Sequence, residues 1–109
     1  VISFHCPPTQ DGKPLITNES IAKMKPGVYL INTARAGLIA EDAVLAGLKS
    51  GHIAGFATDV YAQEPPAMNE LYLHENVITT PHIGGFTTES IENATGVAVE
   101  NLLQYLQKL

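Results

Sequence analysis

The fold is decided by one short stretch of the chain, VYLINT at Val28–Thr33. The stretch is apolar on both faces, which is typical of a strand buried inside a parallel sheet. The pair Pro26-Gly27 ends the segment before it, and Ala34–Gly37 form a turn after it. We therefore predict a buried strand here, followed directly by a loop that carries Arg35.

Working outward, strand and helix patterns alternate on both sides of this stretch. Strands are predicted at Val1–Phe4, Ile53–Val60 and Val77–Thr80, and helices at Leu15–Lys25 with Asn18 as N-cap, at Glu41–Ser50 and at about Thr87–Leu106. The alternation predicts an α/β fold, a parallel sheet with flanking helices. Whether the last helix packs on this sheet or on another part of the protein stays open.

Composition limits the possible partners. The chain has 109 residues, of which 45% are hydrophobic and 16% charged, as expected for a globular domain. Its net charge of −5 argues against a nucleic-acid partner and against an anionic membrane surface. No apolar run approaches the roughly 20 residues of a membrane helix. Cys6 is the single cysteine, so we expect no internal disulfide and a reducing, cytoplasmic setting.

Polar side chains with chemical potential follow the predicted strands. Cys6 and Pro7 end the first, Arg35 follows the second, Asp59 and Glu64 end or follow the third, and His82 ends the fourth. Parallel strands place their carboxyl ends at one edge of the sheet, where ligands bind in this fold class. We therefore expect these groups to meet at one edge.

Each of these groups has a functional and a structural interpretation. A guanidinium such as Arg35 can hold a carboxylate with two parallel bonds, and an imidazole such as His82 suits proton transfer near neutral pH. A carboxylate such as Glu64 can favour the imidazolium form and orient the ring. Taken singly, these three residues are more often structural or solvated. Asp59 is evenly balanced between function and a structural hydrogen bond to a helix N-terminus.

The remaining candidate groups are weaker. His5 could line the site or pack structurally, His52 is expected to be exposed, and His74 lies in a polar loop. No pair of residues has the spacing of metal ligands, so no metal is expected. Gly84-Gly85 before the last helix could let the backbone approach a ligand closely.

Taken jointly, several motifs resemble one family. They are Lys25-Pro26-Gly27, Ile31–Arg35, Ala54–Tyr61, Gln63-Glu64-Pro65 and Thr80–Gly85. This set, with Arg35 and Glu64 29 residues apart and Glu64 and His82 18 apart, is similar to the D-2-hydroxyacid dehydrogenases, a resemblance that covers essentially the whole chain. It implies the second half of a Rossmann-type dinucleotide-binding domain. It also implies hydride transfer between a D-2-hydroxy acid or 2-oxo acid and NAD, with NADP not excluded.

The resemblance implies a role for each matching residue. Arg35 would hold the substrate carboxylate, His82 would be the acid or base, and Glu64 would hydrogen-bond His82. Asp59 would contact the nicotinamide end of the cofactor. The other residues expected to bind the cofactor are Cys6, Pro7, Thr33, Ala34, Arg35, His82, Gly84 and Gly85. One departure is Ala36, where the family commonly has glycine and where the methyl group could narrow the substrate space.

We read residues 1–109 as the C-terminal part of the NAD(P)-binding domain of a longer protein, since the chain opens inside a strand pattern. The G-x-G-x-x-G turn and the substrate domain are expected upstream. The isolated 109 residues are therefore expected to be inactive, with negligible cofactor affinity. The full protein is expected to be a homodimer.

Two other functions in the same family remain as alternatives. One is a non-enzymatic, nucleotide-sensing relative of the corepressor kind, which could retain all three catalytic residues. The other is a formate dehydrogenase. That branch carries Gln at the position of Glu64, because formate oxidation removes no alcohol proton, so Glu64 argues against it.

Overall fold

The computed structural model describes all 109 residues. Its elements are the strands β1 (Ile2–Phe4), β2 (Val28–Asn32), β3 (Ile53–Thr58) and β4 (Val77–Thr79), the helices α1 (Asn18–Ala22), α2 (Glu41–Lys49) and α3 (Thr88–Leu106), and a 3-10 turn at Ala36–Leu38. All neighbouring strands pair in parallel, in the order β1-β2-β3-β4. The predicted α/β class and the number of helices and strands are confirmed.

The hydrophobic core lies between the sheet and the helices α1 and α2. Its most deeply buried side chains are Leu30, Leu38, Val44, Ile53 and Leu71. Helix α2 comes close to β3 because Gly47 has no side chain. A Cβ atom there would lie only 2.5 Å from Cδ1 of Ile53. The contact between Gly47 and Ile53 therefore sets the distance between α2 and the sheet.

The prediction that β2 is buried on both faces is wrong. Leu30 is buried, but Tyr29 on the other face is 54% exposed, and Ile78 of β4, on the same face as Tyr29, is 68% exposed. The reason is that α1 and α2 both pack against the same face of the sheet and form one core with it. The opposite face carries apolar side chains and no helix.

The first helix is shorter than predicted and has a different cap. Thr17 has extended backbone angles, its hydroxyl accepts from the Ser20 amide at 3.3 Å, and its own amide donates to Oγ of Ser20 at 2.8 Å. This reciprocal capping box makes Thr17 the N-cap, and Asn18 is the first helical residue. Ile16 cannot belong to the helix, because it forms a parallel bridge with Ile39.

The second helix agrees with its prediction. Glu41 and Asp42 lie in its first turn and Lys49 in its last, which complements the helix dipole. Gly51 follows the C-cap with φ of +76°, a conformation that glycine adopts without strain. The chain then turns directly into β3.

The last helix extends away from the sheet. It begins after Thr87, whose hydroxyl accepts from the Ser90 amide at 3.1 Å, and none of its residues is buried. It accounts for the long dimension of the molecule, which measures 60 × 28 × 24 Å. The question left open by the sequence is thereby answered for these residues, because α3 does not pack on this sheet. None of the helices combines the length and apolar character needed to cross a bilayer.

Candidate active site

Glu64 and His82 form a direct hydrogen-bonded pair, which is an ion pair whenever His82 is protonated, beyond the carboxyl ends of β3 and β4. The two carboxylate oxygens of Glu64 lie 2.7 and 2.9 Å from Nδ1 of His82. The side chains remain 40% and 46% exposed, so the pair is open to a small molecule. Because an ionised carboxylate only accepts hydrogen bonds, Nδ1 must donate to it. The other ring nitrogen, Nε2, is therefore the atom of His82 that can exchange a proton with a substrate.

The backbone of His82 adopts an unusual conformation. Its φ is +56°, which side chains other than glycine rarely adopt, although histidine and asparagine tolerate it better than most. Its amide donates to the carbonyl of Thr80 at 3.0 Å, across Pro81. This tight turn aims the imidazole back toward Glu64. Such a conformation persists only where neighbouring contacts hold it.

Asp59 supplies most of those contacts. Its carboxylate is buried, with 5% of the residue exposed. Oδ1 accepts from Oγ1 of Thr80 at 2.5 Å and from the Ile83 amide at 2.9 Å, and Oδ2 accepts from the Gly84 amide at 2.8 Å. Asp59 therefore binds the chain on both sides of His82. The structural partner is this loop, which precedes the start of α3, and not a helix N-terminus.

The environment of Asp59 favours its charged form. Burial raises the pKa of the carboxyl, but the hydrogen bonds from Thr80, Ile83 and Gly84 and the charge of His82 more than offset it. The net result is a pKa below the ordinary value of 3.8. The carboxylate that holds the loop is thus ionised throughout the neutral range.

Arg35 is carried by a loop that Asn32 shapes. Asn32 is fully buried at the end of β2, where its Nδ2 donates to the carbonyl of Arg35 at 2.9 Å and its Oδ1 accepts from the Ala34 amide at 3.1 Å. The guanidinium itself is exposed, with Nη1 donating to the carbonyl of Ala34 at 2.6 Å. Sequence reasoning placed Asn32 in the strand and missed this role. The available signal was an amide at the end of an otherwise apolar strand.

A groove beside this loop brings together five of the residues predicted to bind the cofactor. It has a volume of about 420 Å³. Its lining consists of Phe4, His5, Cys6, Pro7, Pro8, Thr33, Ala34 and Arg35. The lining residues come from the segments that follow β1 and β2, two neighbouring strands of the sheet. The other four predicted residues, Asp59, His82, Gly84 and Gly85, lie at or after the ends of β3 and β4.

A second cavity of about 240 Å³ lies at the ion pair. It is lined by Tyr61, Glu64, Pro65, Pro66, Pro81 and His82. The largest cavity, about 530 Å³, lies elsewhere, on the open face of the sheet beside Tyr29 and Ile78, and contains none of the predicted catalytic residues. We assign the chemistry to the carboxyl edge because Arg35, Glu64 and His82 all follow strands that end there, although Arg35 lines one cavity and the Glu64–His82 pair lines another.

Sequence reasoning also missed Tyr61 and Thr80 as parts of this site. The hydroxyl of Tyr61 donates to the carbonyl of Thr80 at 2.6 Å, and its amide donates to Oε1 of Glu64 at 3.3 Å. The only signal in the sequence was the presence of two hydroxyl side chains next to strand ends. That signal is too common to single out a residue.

The other histidines lie away from the ion pair. His5 is exposed and its Nε2 is 2.8 Å from Oγ of Ser3, although it also lines the groove. His52 was expected to be exposed, which is wrong. It is half-buried, and its Nε2 lies 3.0 Å from the carbonyl of Met24. The turn that carries His52 before β3 therefore lies against the segment that carries Met24 after α1. His74 is half-buried, and its Nδ1 accepts from the Asn76 amide at 3.1 Å.

Comparisons with known proteins identify relatives for most of the chain. A family model described as "D-isomer specific 2-hydroxyacid dehydrogenase, NAD binding domain" matches residues 1–84. The chain is 46% identical to D-3-phosphoglycerate dehydrogenase of Bacillus subtilis over 109 residues, covering 100% of this chain and 21% of that protein. It is 40% identical to an aromatic 2-oxoacid reductase of Clostridium sporogenes, covering 96% of this chain and 36% of the relative. The chain thus spans between a fifth and somewhat over a third of these relatives.

Solved structures agree with these relatives. A D-lactate dehydrogenase of Treponema pallidum superposes with a TM-score of 0.87 at 37% identity, over 98% of this chain and 37% of that one. A D-lactate dehydrogenase of Aquifex aeolicus, complexed with NAD and lactic acid, superposes with a TM-score of 0.85 at 32% identity, over the same shares. The predicted Rossmann-type architecture is confirmed by these neighbours.

Proposed function

This chain belongs to the D-isomer specific 2-hydroxyacid dehydrogenase family, and from that premise we propose that it carries the substrate-anchoring and proton-transfer groups of an NAD(P)-dependent dehydrogenase. The substrates would be D-2-hydroxy acids and the corresponding 2-oxo acids. The observation that carries the proposal is the contact between Glu64 and Nδ1 of His82 at 2.7 Å, at the same sheet edge as Arg35.

In this proposal His82 moves the proton. During oxidation Nε2 takes the proton of the C2 hydroxyl, and during reduction it returns that proton to the oxygen of the 2-oxo group. Glu64 holds the ring by Nδ1 and stabilises the imidazolium that forms. Both side chains are partly exposed, which leaves the substrate side of the ring accessible.

Arg35 would hold the anionic substrate. Its guanidinium can bind the carboxylate with two parallel hydrogen bonds and stabilise negative charge that develops on the C2 oxygen. The buried side chain of Asn32 fixes the loop from which Arg35 projects. The proton-transfer group and the anchoring cation come from separate loops, so the substrate would lie between them.

The groove of about 420 Å³ beside β1 and β2 fits the nicotinamide end of a dinucleotide. Support comes from its volume, from its place at the carboxyl ends of two parallel strands and from its lining, which includes Cys6, Thr33 and Ala34. When bound, the cofactor would accept or return the hydride. NAD is the first choice and NADP the second, since the family description names NAD.

We further propose that the complete protein is a homodimer that works in the cytoplasm. The apolar open face of the sheet and the wholly exposed helix α3 support burial against further protein. The single exposed cysteine supports a reducing compartment. Sedimentation equilibrium of the complete protein tests the dimer, and a monomer at micromolar concentration would contradict it.

The function is tested with the full-length protein that contains this sequence. It should reduce at least one member of a panel of 2-oxo acids with NADH or NADPH. His82→Asn should lower kcat by about 1,000-fold or more, while the affinity for NADH, measured by fluorescence, stays unchanged. Asn is the right replacement because it tolerates the backbone conformation at φ of +56°. Binding of NADH without turnover of any 2-oxo acid by the wild-type protein would refute the enzymatic proposal.

A further inference from the structure

We propose that Tyr61 is a positioning residue for the ion pair of Glu64 and His82. It ties the turn that carries His82 to the end of β3 and at the same time holds the Glu64 carboxylate. This inference rests on the proposed function, in which that pair moves the substrate proton. The role assigned to Tyr61 is to act through its neighbours, by its hydroxyl on the turn and by its backbone amide on Glu64.

Tyr61 is linked to both members of the pair, directly to Glu64 and through the carbonyl of Thr80 to His82. Its hydroxyl donates to the carbonyl of Thr80 at 2.6 Å, and the same carbonyl accepts from the His82 amide at 3.0 Å. Its own amide donates to Oε1 of Glu64 at 3.3 Å, and that oxygen lies 2.7 Å from Nδ1 of His82. One residue thus spans the acid–base group and the carboxylate that orients it.

The hydroxyl contact matters because the conformation of His82 is strained. The turn from Thr80 to His82 sets φ of His82 at +56°, and the direction of the Thr80 carbonyl defines that turn. Asp59 holds the hydroxyl of Thr80, and Tyr61 holds its carbonyl. Without the Tyr61 hydroxyl, the carbonyl would retain only the His82 amide, and the peptide unit could rotate. The imidazole would then move relative to Glu64.

Tyr61 is itself held in place. It is buried, and its ring meets that of Tyr72 edge to face, with centroids 5.2 Å apart. The hydroxyl of Tyr72 in turn donates to Glu41 at the start of α2. Burial raises the pKa of Tyr61, and the nearby carboxylates of Asp59 and Glu64 raise it further. The hydroxyl therefore stays protonated, and able to donate, throughout the neutral range.

The variant that tests the inference is Tyr61→Phe in the full-length protein. It removes the hydroxyl but keeps the ring against Tyr72, so the packing is retained. We expect kcat to fall about tenfold, because small displacements of a catalytic group slow the chemical step. The KM for the 2-oxo acid and the affinity for NADH should stay unchanged, since neither binding contact is altered.

Tyr72→Phe is the matched control. It also removes a buried tyrosine hydroxyl, but one bonded to Glu41, away from the turn at His82. Both variants should lose some stability, whereas only Tyr61→Phe should lose kcat. A general loss of stability would affect the two variants alike.

Amide hydrogen exchange provides a readout that needs no activity. In Tyr61→Phe, peptides covering residues 80–84 should exchange faster than in wild type, and in Tyr72→Phe they should not. Equal kcat in Tyr61→Phe and wild type would overturn the inference and leave the proposed function intact. If wild type reduced no 2-oxo acid, the proposed function would be wrong. Hydrogen exchange would then be the only test of whether Tyr61 holds the turn at His82. Faster exchange would then support the tie to the turn, and unchanged exchange would refute it.

Discussion

Oδ2 of Asp59 accepts a hydrogen bond from the Gly84 amide at 2.8 Å and is also the atom that a side chain at Gly84 would meet first. A Cβ atom on Gly84 would lie 3.0 Å from that oxygen, closer than ordinary contact. The backbone of Gly84 does not adopt the left-handed conformation that favours glycine. What glycine provides at this position is therefore the space beside Asp59. The carboxylate cannot move aside, since its two oxygens bind three donors.

Gly84→Ala should therefore destabilise the protein by about 1–2 kcal/mol, within the range for overpacked sites. Gly85→Ala is the control, because a Cβ there would meet nothing within 4 Å, and its effect should stay within about 0.5 kcal/mol. Urea unfolding of the full-length protein measures both. Equal losses from the two substitutions would contradict the contact with Asp59.

Asp59 should make stability depend on pH in acid. Its pKa is lowered from 3.8 in the folded state, so it binds fewer protons when folded than when unfolded. Its contribution is therefore fully present above that value and is lost as pH falls through the lower pKa of the folded state. Asp59→Asn should destabilise the protein at neutral pH, because the Asn amide would face the donors of the loop.

The difference in unfolding free energy between wild type and Asp59→Asn should then shrink below about pH 4. Denaturant titrations at a series of pH values from neutral to acid would reveal it. A difference that stays constant over that range would mean that the buried carboxylate is not the titrating group.

Glu64→Gln should slow catalysis without weakening cofactor binding. The Gln carbonyl can still accept from Nδ1 of His82, but the negative charge that stabilises the imidazolium is lost. A fall of about 10- to 100-fold in kcat is expected for a residue of this kind. Glu70→Gln is the control, since Glu70 pairs only with Lys49 at 2.5 Å on the surface. Steady-state kinetics decide, and equal kcat in the two variants would count against the role of Glu64.

Gly47→Ala should have two opposite effects on stability, one through helix propensity and one through packing. Alanine favours a helix interior over glycine by about 1 kcal/mol, but its Cβ would lie 2.5 Å from Cδ1 of the buried Ile53. Packing should prevail, with a net loss of about 1–2 kcal/mol. Ile53→Val removes Cδ1, the nearer of the two carbons that this Cβ would meet, and leaves Cγ1 at 2.9 Å. The clash is therefore smaller, and the double variant should be more stable than the sum of the single losses predicts. Additive losses in thermal unfolding would contradict this.

Much of the fold could be predicted because its signals are local. The end of α2 follows from Gly51 and the start of α3 from its N-cap Thr87, and the parallel strands follow from alternation with helices. The exposure of Tyr29 could not be predicted, because an apolar strand looks the same whether one face or both are covered. The choice of Thr17 over Asn18 as N-cap depends on which of two suitable residues finds Ser20 in reach.

The contact between Glu64 and His82 was predictable for a different reason. Parallel strands bring their carboxyl ends to one edge, so Glu64 and His82 could be expected to approach each other once β3 and β4 were identified. The contacts that hold the pair could not be expected, because hydrogen bonds to the carbonyl of Thr80 and the amide of Gly84 involve backbone groups that every sequence contains. Sequence patterns therefore singled out Glu64 and His82 and missed Tyr61.

The position of β4 at one edge of the sheet affects how the protein loses its structure on heating. β4 has only three residues, is paired on one side and leads directly into the turn at His82. Short, exposed segments open at lower free energy than the interior of a sheet. A molecule in which β4 has detached keeps most of its backbone structure, but the imidazole of His82 is no longer held in position. If His82 has the proposed role, activity should therefore be lost at a lower temperature than the one at which the whole protein unfolds.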